Sequence, residues 1–329
     1  VSAGIPVVGA GEIRGALTRA EAVAAIERAL AAGQDVEADT PRLFRPLRAG
    51  EFLLMPAESP AHAGVKVATV APGNPARGIP KIHAWYLLFD AGTLRPVALL
   101  DGTELTTLRT PAVTAAAIRG LLRAAPGGPR ERIDRLAVFG SGPQAEAHVR
   151  TLHEIFPVER VSILGRTPER VEALLGRLRA DGIAAEAGDA AAVAAADVVV
   201  TATSSSAPVL ALGDVRSDAV VAAIGAHGPA HRELAADLVR GSDLVVEARA
   251  SAFRESGNLL QARAEADWTG GAQAVANVRE LVAGAVRRTP GRPAVFAGVG
   301  MSWEDLAIAE HLLDVLGLSG APGPEEETP

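Results

Sequence analysis

The sequence predicts an α/β protein with two textures: a mixed or antiparallel sheet in the first third, then a parallel sheet covered by helices on both faces. Three observations carry this. Short apolar runs broken by Pro, Gly and Asn fill residues 51–101. After Leu105, apolar runs alternate with helical stretches. A glycine-rich turn, Gly140–Ala145, stands directly after one apolar run and directly before a helix.

The elements follow in order. Residues 18–32 (TRAEAVAAIERALAA) have helical periodicity, a Thr-x-x-Glu capping box at Thr18 and Glu21, and Gly33 as the stop. FLLMP, GVKVATV, PKIHAWYLLFD and RPVALLD read as strands, separated by the turns AESPAHA, PGNPARGI and AGTL. Residues 106–123 read as a helix, with Pro111 in a first-turn position where a missing N–H costs nothing. The hydrophilic joint APGGPRERIDR follows. LAVFG, RVSILG, IAAEAG, DVVVTAT, AVVAAIG and DLVVEAR then read as six successive strands with helices between them. The Gly/Pro/Glu-rich tail from Ser319 reads as a frayed end.

Composition narrows the function classes. The 329 residues suggest about two domains. There is no cysteine, which excludes a disulfide scaffold, a thiolate zinc site and a cysteine nucleophile, and fits a reducing, cytoplasmic compartment. With 32 basic against 39 acidic residues and no basic run interleaved with aromatics, a nucleic-acid partner is not expected. Long apolar stretches are all cut by a charge or a turn, so no membrane partner is expected either. The N-terminal stretch VSAGIPVVGAGEIRG has no basic n-region and no signal-type apolar core. No His/Asp/Glu spacing suggests a metal site, and no G-x-S-x-G elbow is present.

The sharpest motif is Gly140-Ser141-Gly142-Pro143-Gln144-Ala145. It fits G-x-G-x-x-A: a tight turn, a backbone that approaches a pyrophosphate, and a small residue where helix and strand pack closely. The second strand of this part ends in Leu164-Gly165-Arg166-Thr167, without the acid that usually binds a ribose 2′-hydroxyl. A guanidinium and a hydroxyl suit a 2′-phosphate, so NADPH is preferred and NADH allowed. Lys66 lies in an apolar strand, where an ammonium is costly unless an anion partners it. Arg109, read at the start of its helix, and Arg42 are further cations placed for a carboxylate or phosphate. His83 and His227 are the histidines suited to proton transfer; His227 follows the fifth strand, at the sheet edge where ligands bind.

Taken together, these residues form a wider pattern. Arg42, Met55-Pro56, Lys66, Pro72-Gly73-Asn74, Gly78, Asp101-Gly102, Leu105-Thr106 and Leu108-Arg109-Thr110 precede the glycine turn. Gly225-Ala226, Pro229, Arg232-Glu233-Leu234, Glu255–Gln261, Val299-Gly300-Met301 and Asp305-Leu306 follow it. The pattern resembles the ornithine cyclodeaminase/mu-crystallin family over nearly the whole chain. The resemblance implies a homodimer, with a Rossmann dinucleotide-binding domain (residues 119–304) inserted in an α+β substrate-binding and dimerisation domain (residues 1–118 and 305–329). It implies that Arg42, Lys66 and Arg109 hold a substrate carboxylate or act beside it; His83 is set beside them as a further substrate-binding candidate. Lys66 and His227 become the catalytic candidates. Thr110, the Gly140–Ala145 turn, Arg166, Thr167, Thr203, Gly225 and Gly300 become the dinucleotide contacts.

Ornithine cyclodeaminases carry Asp where this chain has His227, which weakens an ammonia-eliminating reaction here. The RESGNLLQA stretch is closer to the ketimine reductase members, although those often have Asp at Asn258 and Ala at Pro111. The expected activity is NAD(P)H-dependent reduction of a cyclic imino acid, Δ1-pyrroline-2-carboxylate or Δ1-piperideine-2-carboxylate, to L-proline or L-pipecolate. The alternatives are an NAD-dependent ornithine or lysine cyclodeaminase, an alanine- or opine-type dehydrogenase, and a non-catalytic protein that binds NADPH and a small acid.

Overall fold

In the computed structural model of the protein, residues 4–268 and 275–318 are described. The chain opens with a short strand β1 (Val7–Val8) and the helices α1 (Ala10–Ala16) and α2 (Arg19–Ala31). The capping box before α2 forms. The Thr18 N–H and hydroxyl donate to Glu21 at 2.8 Å, and the Glu21 N–H donates back to the Thr18 hydroxyl at 3.1 Å. Five strands follow: β2 (Leu43–Leu47), β3 (Gly50–Glu58), β4 (His62–Val70), β5 (Ile82–Asp90) and β6 (Pro96–Asp101). They form a six-stranded sheet of order β1-β6-β5-β4-β3-β2. All its pairs are antiparallel except β1 with β6. The strands β1 and β2 and the helix α1 are additions to the sequence reading.

One helix differs from expectation. Helix α3 runs Gly102–Arg123, so it starts four residues earlier than the sequence suggests. The Asp101 carboxylate accepts the Glu104 N–H at 2.8 Å and closes its first turn. Pro111 therefore sits inside the helix rather than in its first turn, and Arg109 lies two turns in.

The parallel sheet comes next. Its strands are β7 (Ile133–Phe139), β8 (Val158–Leu164), β9 (Ala185–Ala187), β10 (Val198–Thr201), β11 (Val220–Ala223), β12 (Asp243–Val246), β13 (Ala276–Asn277) and β14 (Ala294–Ala297). The helices between them are α4 (Pro143–Ile155), α5 (Pro168–Ala180), α6 (Ala190–Ala194), α7 (Ala236–Gly241), α8 (Arg249–Glu255), α9 (Gly257–Leu260) and α10 (Val278–Val282). The order is β13-β12-β14-β11-β10-β7-β8-β9, with every pair parallel. Read from β9 to β11, this is the doubly wound order 3-2-1-4-5 of a dinucleotide-binding fold. Val198–Val200 and Val220–Val221 are wholly buried, and each such side chain contributes about 1.5–3 kcal/mol. β14 is a strand the sequence reading passed over. It separates β11 from β12, which are consecutive in the chain reading but not in the sheet.

The last helix, α11 (Ser302–Leu316), packs on β3 and β4. Two compact units result. One holds the residues up to Ile26, Ala38–Arg109 and Met301 onward; the other holds Glu27–Glu37 and Thr110–Gly300. The tail from Ser319 lies outside the described residues. Among the described residues, no helix is long and apolar enough to cross a membrane.

Candidate functional site

The first unit places a buried ammonium in its sheet. Lys66 stands in the middle of β4, opposite Met55 of β3 and Tyr86 of β5. The alternation of β4 turns it inward with Gly64 and Ala68, and it is only 3% exposed. Its anion partner comes from the other end of the chain. Nζ donates to Asp305 Oδ2 at 2.6 Å and to the Thr106 hydroxyl at 3.3 Å. The Thr106 hydroxyl in turn donates to the Gly102 carbonyl at 2.7 Å.

Arg109 joins the same cluster. Its Nη1 donates to Glu304 Oε2 at 2.7 Å, and its Nε lies 3.8 Å from Asp305 Oδ2. The sequence reading placed Arg109 at a helix N-terminus, with the helix end supplying part of an anion site. The structure corrects this: the guanidinium is two turns inside α3, and buried carboxylates hold it. Glu304 and Asp305 are wholly buried in the first turn of α11. That helix end is closed by Asp39, whose Oδ1 accepts the N–H groups of Ser302 and Trp303 at 3.2 and 3.3 Å. Arg42, just before β2, is half-buried, and its charge reaches Lys66.

Electrostatics follow from this packing. Burial pushes the Lys66 ammonium down to about 8; Asp305 opposes the shift, and Arg109 and Arg42 add to it. Burial, with the charges of Asp305 and Glu310, holds the Tyr86 phenol well above its ordinary value. The cluster thus sets an ammonium that gives up its proton more easily than usual beside the Asp305 side chain, which suits proton transfer.

His83 does not join this cluster. It is three residues from Tyr86 on β5, so the strand period turns it to the opposite face of the sheet, where it is exposed. Asp305 and Glu304 are the functional candidates that the sequence reading gave no role. Their signal was Lys66 itself, which demanded a buried anion, and MSWEDLA offers two.

The second unit carries the glycine turn. Gly140 ends the β7 segment at φ +124°, and a Cβ there would run into the Ala202 carbonyl oxygen. Only glycine fits such a position. Gly142 caps α4 with Pro143 at its first position, and the space a Gly142 side chain would fill is open. Ala145 is wholly buried and lies close under Gly140. Ser141 approaches Gly165, at the end of β8. A backbone cradle that a side chain would block, at the start of a 13-residue helix, fits a pyrophosphate.

The other candidates of this unit are placed as follows. Arg166 and Thr167 are exposed at the tip of β8, with Thr167 at the N-cap of α5. The Thr110 carbonyl accepts the Thr114 hydroxyl at 2.8 Å. The Thr114 oxygen lies 3.1 Å from His148 Nε2, and His148 Nδ1 lies 2.7 Å from the Gln144 carbonyl. Thr110 is thereby tied through one buried histidine to the glycine turn. Thr203 and Gly225 share the carboxylate of Glu233. Gly300, at φ +80°, donates its N–H to Glu247 Oε2 at 2.7 Å. His227 is exposed in the loop after β11, so Lys66 and His227 belong to different units. Among the described residues, no group of three or more His, Asp and Glu could hold a metal ion.

Comparison with known proteins places the chain. The sequence model of the ornithine cyclodeaminase/mu-crystallin family matches residues 7–317. The chain is 34% identical to a Δ1-pyrroline-2-carboxylate/Δ1-piperideine-2-carboxylate reductase of Azospirillum brasilense over 317 residues, covering 95% of this chain and 96% of that one. It is 32% identical to ketimine reductase mu-crystallin of Mus musculus, over 79% of both chains. Among solved structures, the Thermococcus litoralis Δ1-pyrroline-2-carboxylate reductase in complex with NADH and L-proline is similar, with a TM-score of 0.84 and 25% identity. That match covers 96% of this chain and 99% of that one. The chain therefore belongs to the ornithine cyclodeaminase/mu-crystallin family.

Proposed function

We propose that the protein is an NAD(P)H-dependent ketimine reductase that converts Δ1-pyrroline-2-carboxylate or Δ1-piperideine-2-carboxylate to L-proline or L-pipecolate. The observation that carries this is Lys66. An ammonium has three N–H donors, and among the described residues two acceptors, Asp305 and Thr106, lie within hydrogen-bond reach of Nζ. The third N–H is the one that serves the imine nitrogen. The reduced nicotinamide, when bound, supplies a hydride to the C=N carbon. Lys66 supplies the proton to nitrogen, so that C=N becomes CH–NH. Arg42 and Arg109 hold the substrate carboxylate, which fixes the neighbouring carbon for attack. The relatives named as pyrroline-2-carboxylate and ketimine reductases support this reading.

The finer assignments belong to the same reading. Arg166 and Thr167 favour NADPH over NADH, because a guanidinium binds a 2′-phosphate strongly. A homodimer is supported by the sheet of the first unit. Leu43, Leu54, Val67 and Trp85 form one cross-strand row on the face away from Lys66, and Pro56, Val65, Leu87, Leu99 and Val7 form the next. Trp85 is 45% exposed and Leu43 58%. So broad an apolar face marks an association surface. The double variant Val67→Glu, Trp85→Glu should run as a monomer in light scattering at concentrations where the wild type runs as a dimer. A wild type that is itself monomeric would discard the dimer assignment.

The function is tested by mixing the purified protein with NADPH or NADH and each cyclic imino acid, and following the loss of reduced nicotinamide. Steady consumption with at least one imino acid is the expected result. Inertness toward every imine, with ammonia released from ornithine, would replace the reductase by a cyclodeaminase. Tight dinucleotide binding without turnover would leave a binding protein.

A further inference from the structure

Four donors converge on one buried carboxylate in the second unit. Glu233, between β11 and α7, is wholly buried. Its Oε1 accepts the Thr203 N–H and the Thr203 hydroxyl, both at 2.7 Å. Its Oε2 accepts the Gly225 N–H at 2.8 Å and the Thr201 hydroxyl at 2.9 Å. Thr201 ends β10 and Gly225 follows β11, so one side chain ties together the segments that leave two neighbouring strands. A Cβ on Gly225 would collide with the Thr203 backbone, so the two segments touch directly. Glu233 is itself pinned: Asn258 Oδ1 accepts the N–H groups of Glu233 and Leu234 at 2.8 and 3.0 Å.

Two of the four are backbone N–H groups, one on each carboxyl oxygen, so both oxygens act as acceptors and neither is left unpaired. Burial raises the Glu233 carboxyl, while the four bonds oppose the shift. Its four partners are uncharged, and a carboxyl buried in this way is a poor way to gain stability. What it secures is geometry. Ala202 lies between the two gripped threonines. Its N–H donates to the Phe139 carbonyl at 2.8 Å, and its own carbonyl fills the space where a Gly140 side chain would stand. The clamp on Thr201 and Thr203 thus fixes one wall of the glycine turn.

We propose that Glu233 is a positioning residue for dinucleotide binding, holding Thr203, Ala202 and Gly225 so that the Gly140–Ala145 turn can accept a pyrophosphate. This rests on reading the second unit as the dinucleotide site. The test is a titration of the full chain with NADPH, followed by nicotinamide fluorescence, for the wild type, Glu233→Gln, Thr201→Val and the double variant. Glutamine turns an NH2 group toward the donors, and its Kd for NADPH should rise by about tenfold or more, as expected when a buried donor loses its acceptor. Thr201→Val keeps the buried volume, removes one donor, and should raise Kd by about two- to fivefold. The double variant should bind no worse than Glu233→Gln, because both changes act through one carboxylate. At saturating NADPH, the KM for the imino acid should stay within about twofold, a split that general loosening of the fold would not give. A Glu233→Gln protein with wild-type circular dichroism and unchanged Kd overturns the proposal. If that variant does not fold, an unchanged Kd in Thr201→Val overturns it. A wild type that binds no dinucleotide removes the reading of the second unit instead, and is recognised before any variant is made.

Discussion

Replacing Lys66 with methionine should lower imine turnover by about 10²–10⁴-fold, the range a positioned acid contributes. NADPH affinity should hold within about twofold, because the glycine turn belongs to the other unit. The retained affinity is also the check that the variant is folded, since Asp305 loses its 2.6 Å partner. The pH profile sharpens the test. On the proposal that Lys66 is the acid, the working form in the reductive direction is the ammonium. Burial pushes it down to about 8. Reductive kcat/KM should therefore be level below that point and fall above it, by about tenfold per pH unit. Asp305→Asn removes the charge that holds the ammonium up, so the falling limb should move to lower pH. Stability has its own sign. The folded value lies below the ordinary 10.5, so Lys66 weakens the fold below about pH 8 and the penalty shrinks as pH rises toward 10.5. Lys66→Met at a third of the wild-type rate, or a limb that ignores Asp305→Asn, would assign the proton to another group.

How far the sequence reveals this site depends on the range of the interactions. The alternation of GVKVATV is local, and it puts Lys66 on the inner face of β4 as read. The glycine turn is also local: Gly140, Gly142 and Pro143 mark the strand end and the helix start without help from elsewhere. The partner of Lys66 is not local. Asp305 lies 239 positions away, and in the chain it reads as an ordinary acid in a helix first turn. The start of α3 was masked by Pro111, whose first-turn preference yielded to the Asp101 cap and to packing. His83 shows the reverse case. Its residue type suggested chemistry, while the strand period alone already placed it opposite to Lys66. β14 was missed because four apolar residues after a Pro- and Gly-rich stretch carry too little period to declare a central strand.

Arg166→Asp should shift the coenzyme preference from the proposed NADPH toward NADH. The guanidinium stands exposed at the tip of β8, immediately before Thr167 and the Pro168 start of α5. Gly165 before it packs closely on α5, since a Cβ there would meet the Val171 side chain at 2.7 Å. An exposed side chain at such a tip can be exchanged with a stability change of about 0.5 kcal/mol or less. Charge-assisted contacts to a phosphate contribute about 1.5–3 kcal/mol, which is roughly 10–100-fold in affinity. Aspartate also repels a 2′-phosphate and can accept a ribose hydroxyl, which favours NADH. The ratio of kcat/KM for NADPH to that for NADH should therefore fall by about 100-fold or more. KM for the imino acid should hold, because Arg166 and Lys66 lie in different units. A ratio that stays at the wild-type value would mean that Arg166 does not read the 2′ position, and the preference for NADPH would lose its physical basis.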